Sequence, residues 1–137
     1  MGCLFGGLLA EKGLNVILID VWKQHVDEIN KKGLKMMGHG GDRIIKIRAT
    51  TEPEKLDPVD AIIIMCKATA LEQALNSSKK IIGEKTMLMS FQNGIGHEEI
   101  MQKVAGKEKV LGGSTTQASS IQAVSYTHLT LPTNREV

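Results

Sequence analysis

The order of a glycine, an apolar helix, a second glycine, a strand and an acidic residue constrains this chain more than any other feature. Gly2 begins a run whose apolar residues recur at helical spacing, and Gly13 follows as a stop signal. The apolar run 16–19 comes next and leads into Asp20, which lies 18 residues after Gly2. In βαβ dinucleotide units an acidic residue closes the second strand about 20 residues after the glycine turn. The order therefore predicts the second half of such a unit, without its first strand.

Strand and helix patterns alternate along the rest of the chain. This alternation predicts an α/β fold, Rossmann-like, with a mostly parallel sheet flanked by helices and lacking its first, central strand. The predicted helices are 2–12, 23–32, 71–82 and 97–104. The predicted strands are 16–19, 61–65, 86–90 and 110–115, with a short β excursion over 34–37 and 43–48 around a glycine turn.

Composition excludes several classes of protein. The chain has 137 residues, of which 42% are apolar and 23% charged, which is typical of a globular domain. A net charge of +2 without a basic block, and 3% aromatic residues, argue against nucleic-acid binding. Cys3 and Cys66 lack metal-ligand spacing and indicate a reduced, cytoplasmic protein without a metal. No apolar stretch reaches the length of a membrane span.

The end of the chain departs from the α/β pattern. Residues 124–133 read VSYTHLTLPT, which matches the in-frame translation of a sequencing-library adapter. The sequence therefore predicts a partial nucleotide-binding domain over 1–123 and a non-native tail over 124–137. The alternative is a genuine strand, because Val124, Tyr126 and His128 alternate with Ser125 and Thr127.

Polar side chains follow two predicted strands at the edge where open α/β sheets bind ligands. Lys67 comes after the strand 61–65, and Asn93 comes after the strand 86–90. A cation directly after an apolar strand favours a cleft or an anion nearby, although a surface lysine at the sheet edge is the alternative. For Asp20, the role of ribose acceptor competes with that of a helix N-cap or loop acid.

Four segments in this order carry a family resemblance: MGCLFGGLLAEKG, CKA, SFQNGIG and GGSTTQAS. From Gly2 to Ser120 the chain resembles the N-terminal dinucleotide-binding domain of the ketopantoate reductase (2-dehydropantoate 2-reductase) family, truncated at both ends. The resemblance implies a cytoplasmic enzyme of pantothenate biosynthesis that reduces the small molecule 2-dehydropantoate with NADP or NAD as cofactor. A reductase of another 2-oxo or 3-hydroxy acid, or a non-catalytic nucleotide-binding module, is the alternative.

The resemblance also assigns roles to residues. Gly2, Asp20, Lys67, Asn93 and Ser119 are expected to bind the cofactor, with Lys67 and Asn93 also lining the substrate cleft; Ser119 stands where the family usually has Ala. In the family a helical C-terminal domain supplies the catalytic lysine and a substrate-binding carboxylate. No catalytic residue is therefore assigned in this chain, which is expected to be inactive by itself.

The residues after the predicted strand 16–19 leave the choice of nicotinamide cofactor open. Family members that prefer NADPH often carry an Arg where this chain has Val21, and Asp20 precedes it. A carboxylate there repels a 2′-phosphate and favours NADH, although Lys23 can partly compensate. The family suggests NADPH, whereas these residues favour NADH.

Overall fold

The computed structural model describes residues 1–38, 40–92, 96–116 and 118–130. These residues form two compact units, the first made of Met1–Thr51 with the chain from Thr116 on, the second of Glu52–Thr115. The helices are α1 (Gly2–Glu11), α2 (Lys23–Lys32), α3 (Leu71–Ser77) and α4 (His97–Ala105). The strands are β1 (Ile17–Ile19), β2 (Leu34–Gly38), β3 (Arg43–Ile45), β4 (Arg48–Thr50), β5 (Ala61–Ile64), β6 (Met87–Ser90), β7 (Val110–Gly112), β8 (Ala118–Ala123) and β9 (Tyr126–Thr130).

The first unit contains two sheets. Strands β1 and β4 pair in parallel, with Ile17 opposite Arg48. A second, mixed sheet has the order β3-β2-β9-β8, in which β2 runs parallel to β9 and antiparallel to β3. The apolar core of this unit contains Leu4 from α1, Val26 and Ile29 from α2, and Leu34 and Met36 from β2. Helix α2 therefore buries the apolar face that its sequence periodicity predicts, whereas α1 buries Leu4 but leaves Leu8 39% exposed.

Two consecutive glycines allow α1 to approach the strands closely. A Cβ atom on Gly6 would lie 2.5 Å from Leu18 Cδ2, and one on Gly7 would lie 2.5 Å from Met36 Sδ. Glycine costs about 1 kcal/mol relative to alanine inside a helix, so adjacent glycines at buried positions need a packing reason. The structure supplies that reason for Gly6 and Gly7.

Two residues near the C-terminal end of α2 end the helix and anchor it to β4. Gly33 stops the helix with φ of +85°, a backbone conformation that favours glycine. One turn earlier, the Asn30 side chain forms two hydrogen bonds with Ala49: its Nδ2 donates to the carbonyl and its Oδ1 accepts the amide N–H, both at 2.9 Å. These bonds hold β4 against α2.

The second unit has one parallel sheet in the order β5-β6-β7. Ala61 lies opposite Met87, and Leu88 lies opposite Val110. Its apolar core joins β5 and β6 to α3 and α4 through Ile64, Leu71, Leu75, Leu88 and Met101. Parallel strands with helical crossovers place the carboxyl ends of β5 and β6 at the same sheet edge.

Three sequence predictions about elements were wrong. Residues 43–48 are not a single hairpin arm, because a new strand begins at Arg48 and pairs with β1. The predicted helix 71–82 ends at Ser77, and Lys79–Ile81 forms a 3-10 turn. The strand 110–115 is not the last, since β8 and β9 follow it. Strand β9 lies within the stretch predicted to be a non-native tail and agrees with the alternative of a strand there.

Strand β1 is also less buried than its apolar sequence predicts. Ile19 is 41% exposed, whereas a strand covered on both faces would bury it. Within the described residues β1 pairs on one side only, with β4. The exposed side chain and the single neighbour distinguish β1 from the strand covered on both faces that its apolar sequence predicts.

Candidate functional site

Asp20 stands directly after β1, where the sequence predicts a ribose-binding carboxylate. Its backbone N–H donates to Thr50 O at 3.1 Å, which extends the β1–β4 ladder by one residue. Its Oδ1 accepts the backbone N–H of Trp22 at 2.9 Å, so the carboxylate is fixed by the turn that leads into α2. Asp20 thus has a local structural role, and its side chain is partly buried.

The start of α1 contacts the hairpin formed by β8 and β9, which pair antiparallel in the first unit. Ser119 Oγ lies 3.2 Å from Met1 Sδ, next to the predicted cofactor residue Gly2. The negative charge of Asp20 acts on the Cys3 thiol, whose pKa is raised chiefly by burial. The first unit therefore brings three predicted site residues, Gly2, Asp20 and Ser119, into one region of the fold.

A buried histidine, which the sequence did not single out, lies at the centre of this region. His25 is 0% exposed, and its Nδ1 accepts the backbone N–H of Ser125 at 2.9 Å. The imidazole is therefore neutral, with its proton on Nε2, and Nε2 lies 3.4 Å from Cys3 Sγ. Burial lowers the pKa of His25, and the nearby Asp20 opposes that shift. No spacing in the sequence indicated this position.

The Cys3 thiol is not set up as a nucleophile. Burial raises its pKa, and the Thr127 hydroxyl only partly offsets that shift. A neutral His25 that donates to the sulfur cannot remove its proton, so a thiolate is disfavoured. The pair is a structural contact between α1 and α2.

Lys23 forms an ion pair that the sequence did not predict. Its ammonium lies 2.7 Å from Asp27 Oδ2, one helical turn along α2. The two side chains are 77% and 58% exposed, so the pair is held in water and contributes little to stability. Lys23, the expected partial compensation for a 2′-phosphate, therefore has a weak competing partner on the same helix.

In the second unit, Lys67 follows β5 and has an exposed side chain. Its carbonyl accepts the N–H of Ala70 at 2.9 Å, which begins a 3-10 turn. The residue before it, Cys66, is bridged to the loop after β6, because Gln92 Nε2 donates to the Cys66 carbonyl. Ser90 Oγ donates to Gln92 Oε1 at 3.2 Å and orients the amide. The sequence did not assign a role to Gln92.

The described residues divide the predicted site between the two units. Gly2, Asp20 and Ser119 belong to the first unit and Lys67 to the second, whereas Asn93 lies outside the described residues. The described ranges contain no cluster of side chains that could hold a metal ion. None of the helices in those ranges has the length and apolar character needed to cross a membrane.

Comparison with proteins of known name gives one consistent family. The family model "Ketopantoate reductase PanE/ApbA" matches residues 1–134. The 2-dehydropantoate 2-reductase of Pyrococcus abyssi is 39% identical over 123 residues, which are 90% of this chain and 39% of that protein. The protein of the same name from Streptococcus pyogenes serotype M1 is 31% identical over 129 residues, 94% of this chain and 42% of that one.

A solved structure extends the likeness to three dimensions. The ternary structure of D-mandelate dehydrogenase with NADH and anilino(oxo)acetate superposes with a TM-score of 0.87 at 32% identity, over 93% of this chain and 41% of that chain. The Rossmann-like α/β class that the sequence predicts is thereby confirmed. The chain spans only 39% and 42% of the lengths of the two named relatives. Since the family model covers nearly all of its residues, the chain belongs to the ketopantoate reductase PanE/ApbA family.

Proposed function

We propose that this chain is the dinucleotide-binding part of a cytoplasmic reductase that converts 2-dehydropantoate to pantoate with NAD(P)H, in pantothenate biosynthesis. The observation that carries the proposal is the family match over residues 1–134. Two relatives named 2-dehydropantoate 2-reductase, at 39% and 31% identity, support it. The partner is a small 2-oxo acid, and neither nucleic acid nor membrane is part of the proposal.

The residues of the first unit suit the adenosine side of a dinucleotide. The Asp20 carboxylate follows a strand and is oriented by the Trp22 N–H, so its remaining lone pairs suit ribose hydroxyls. Gly2 begins the helix whose N-terminus would face the pyrophosphate, and Ser119 lies beside Met1. These three residues would hold the cofactor from one unit.

Lys67 and Asn93 would serve the reacting end. When bound, the nicotinamide supplies a hydride to the carbonyl carbon of the 2-oxo acid. The exposed Lys67 ammonium is suited to an anionic group of the cofactor or substrate, and Gln92 fixes the backbone immediately before it. Protonation of the carbonyl oxygen is assigned to a lysine of the helical domain that the family resemblance implies. We therefore expect no turnover from these residues alone.

The geometry around Asp20 favours NADH over NADPH. A carboxylate at the end of β1 repels a 2′-phosphate, and the nearby Lys23 is paired with Asp27 at 2.7 Å. The structural neighbour D-mandelate dehydrogenase binds NADH. NADH is therefore proposed to compete well with NADPH in the whole enzyme.

A second candidate reaction follows from the same neighbour. D-mandelate dehydrogenase, at 32% identity, is about as similar to this chain as the Streptococcus pyogenes reductase at 31%, although less similar than the Pyrococcus abyssi reductase at 39%. Reduction of an aryl 2-oxo acid, such as phenylglyoxylate, is thus the alternative. Oxidation of NADH and NADPH by the full-length enzyme, compared with 2-dehydropantoate and with phenylglyoxylate, tests the proposal. A higher kcat/KM with phenylglyoxylate would replace it by the alternative.

Cofactor choice is tested in the full-length enzyme with Asp20→Asn. Removal of the charge is expected to shift the ratio of kcat/KM values toward NADPH by about tenfold, since partly screened charges interact by about 1 to 3 kcal/mol. Asp42→Asn, at an exposed turn of the same unit, is the matched control and should leave the ratio unchanged. A strong NADPH preference that neither substitution changes would contradict the role of Asp20.

A further inference from the structure

The exposed indole of Trp22 is not explained by packing of the first unit. Trp22 is the single tryptophan of the chain and is 42% exposed. It does not belong to the apolar core of the first unit as described. A large aromatic side chain left this accessible next to a functional carboxylate is a candidate contact for a ligand.

The position of Trp22 is tied to that of Asp20. The Trp22 N–H donates to Asp20 Oδ1 at 2.9 Å, so the carboxylate and the indole project from the same short turn. Burial lowers the pKa of His25, and the charge of Asp20 opposes that shift, so the carboxylate lies near the ring on which the indole stacks. A ligand that reaches Asp20 therefore comes within reach of the indole.

The indole stacks on a histidine ring whose orientation is fixed. The Trp22 and His25 rings stack with centroids 5.2 Å apart and an interplanar angle of 18°. His25 is 0% exposed and is held at both nitrogens, by the Ser125 N–H at 2.9 Å and by Cys3 Sγ at 3.4 Å. One face of the indole is thus covered and fixed, whereas the side chain retains exposed surface. A preorganised aromatic surface binds a planar ligand without first losing its own rotamer freedom.

We propose that Trp22, supported by His25, is the stacking surface for the purine base of the nucleotide whose ribose Asp20 accepts. This inference rests on the proposed function, because it concerns the adenosine part of the same cofactor. Stacking of a nucleobase on an aromatic side chain tolerates any base but requires a π face. Trp22 would then add affinity for adenosine without affecting the choice between NADH and NADPH, which belongs to Asp20.

The test uses the whole 137-residue chain and adenosine monophosphate, so that neither turnover nor an oxo acid is needed. With one tryptophan, a ¹⁵N-tryptophan label gives a single indole N–H signal in NMR spectra. Adenosine monophosphate is expected to shift this signal saturably and to quench the fluorescence. Nicotinamide mononucleotide, which has a ribose phosphate but no purine, should change neither at the same concentration.

Variants are compared through broadening of the H8 line of adenosine monophosphate, which needs no tryptophan. Trp22→Phe keeps a π face and should bind nearly as well, whereas Trp22→Leu covers His25 without one and should weaken binding about tenfold. Val21→Ala, at a 90% exposed neighbouring position, is the matched control and should bind like the unchanged chain. Circular dichroism establishes that each variant is folded.

Two results would overturn the inference. One is an indole signal that adenosine monophosphate moves no more than nicotinamide mononucleotide does. The other is a folded Trp22→Leu variant that binds adenosine monophosphate as tightly as Trp22→Phe. If the proposed function is wrong, the kinetics of the full-length enzyme with 2-dehydropantoate will show it. That result would change neither the indole signal nor the comparison of the two Trp22 variants.

Discussion

The two units pair their buried polar groups over very different distances along the chain. In the second unit, Thr86 is 1% exposed, and its hydroxyl accepts the Gly83 N–H at 2.8 Å and donates to the Val59 carbonyl. In the first unit, the 0% exposed His25 accepts the N–H of Ser125, which is 100 residues away. The partners of Thr86 lie 3 and 27 residues away in the sequence, whereas the partner of His25 lies 100 residues away.

The sheets show the same contrast. The second unit has parallel strands in chain order, β5-β6-β7. In the first unit, β9 lies between β2 and β8, so this sheet forms only when the end of the chain returns. Closing a long loop before its contacts form costs entropy and slows folding. We therefore expect folding of the first unit to depend more on contacts between residues that are far apart in the sequence.

The largest expected effect concerns the local core of the second unit. Leu88, on the central strand β6, is 0% exposed, and Leu88→Ala is expected to lower the free energy of unfolding by about 2 to 5 kcal/mol through lost burial and a cavity. Urea unfolding measures the change. Leu111→Ala on the neighbouring strand β7, where the side chain is 52% exposed, is the matched control and should cost about 1 kcal/mol or less. Equal losses in the two variants would show that this core is not packed as described.

A smaller effect is expected where α1 meets the sheet of the first unit. A Cβ on Gly7 would lie 2.5 Å from Met36 Sδ and 3.1 Å from Leu34 Cδ2, so Gly7→Val must displace core side chains. We expect a loss of about 1 to 3 kcal/mol, the usual cost of overpacking. Leu8→Val carries the same β-branched side chain in the same helix at a position that is 39% exposed, and thermal unfolding should show a smaller loss. A harmless Gly7→Val would mean that the close approach is not required.

Local patterns in the sequence predicted those parts of the fold that local interactions determine. The periodicity of Val26 and Ile29 and the stop at Gly33 predicted α2, because each signal acts within a few turns of chain. The separate strand β4 was missed, since Ile44, Ile45 and Ile47 read as one continuous β pattern. Tertiary contacts divide that pattern, because the β4 backbone pairs with β1 and forms hydrogen bonds with the side-chain amide of Asn30.

The candidate site shows the same limit. The position of Asp20 after a strand followed from spacing alone, because an acidic residue at a strand end is a local signal. The bridge from Gln92 to Cys66 and the stack of Trp22 on His25 depend on which elements become neighbours. Neither pair has a sequence spacing that marks it, so only the structure could identify these residues.

Acidification is expected to weaken the first unit through His25. Burial lowers the pKa of this group relative to about 6.5 in an unfolded chain, so its contribution is complete above that pH and is lost as the pH falls through the folded pKa. A protonated Nδ1 cannot accept the Ser125 N–H. The groups facing the ring are Cys3, Asp20 and Trp22, of which the Asp20 charge opposes the shift.

One proton changes the free energy of unfolding by at most about 1.4 kcal/mol per pH unit. Urea unfolding of the whole chain at a series of pH values measures this slope. His25→Asn keeps a hydrogen-bond acceptor near the position of Nδ1 but does not titrate, and should remove the part of the slope below pH about 6.5. An identical slope in both proteins would assign the acid sensitivity to other groups.

The hairpin that completes the first unit carries a polar group poorly suited to its position. Thr127 is 2% exposed, and its Oγ1 makes no hydrogen bond of normal geometry within the described residues, although it lies near the Cys3 thiol. Buried hydroxyl groups normally have a partner. If residues 124–137 come from an adapter, as the sequence predicts, they did not evolve to fit this core. An unpaired buried hydroxyl is expected in such a segment. Sequencing the locus from source DNA tests that origin, and the same codons for 126–133 in independent clones would contradict it.

The smallest expected effect is therefore a gain. Thr127→Val replaces the buried hydroxyl by a methyl group of the same shape and should raise the free energy of unfolding by about 1 kcal/mol, since an unpaired buried hydroxyl costs about 1 to 3 kcal/mol and the contact with Cys3 offsets part of it. Thermal unfolding of the whole chain measures the gain. Thr116→Val, at an exposed position of the same unit, is the matched control and should change stability by less than about 0.5 kcal/mol. A loss of stability in Thr127→Val would mean that the hydroxyl has a partner in solution, and that the hairpin suits this core as well as local neighbours suit the second unit.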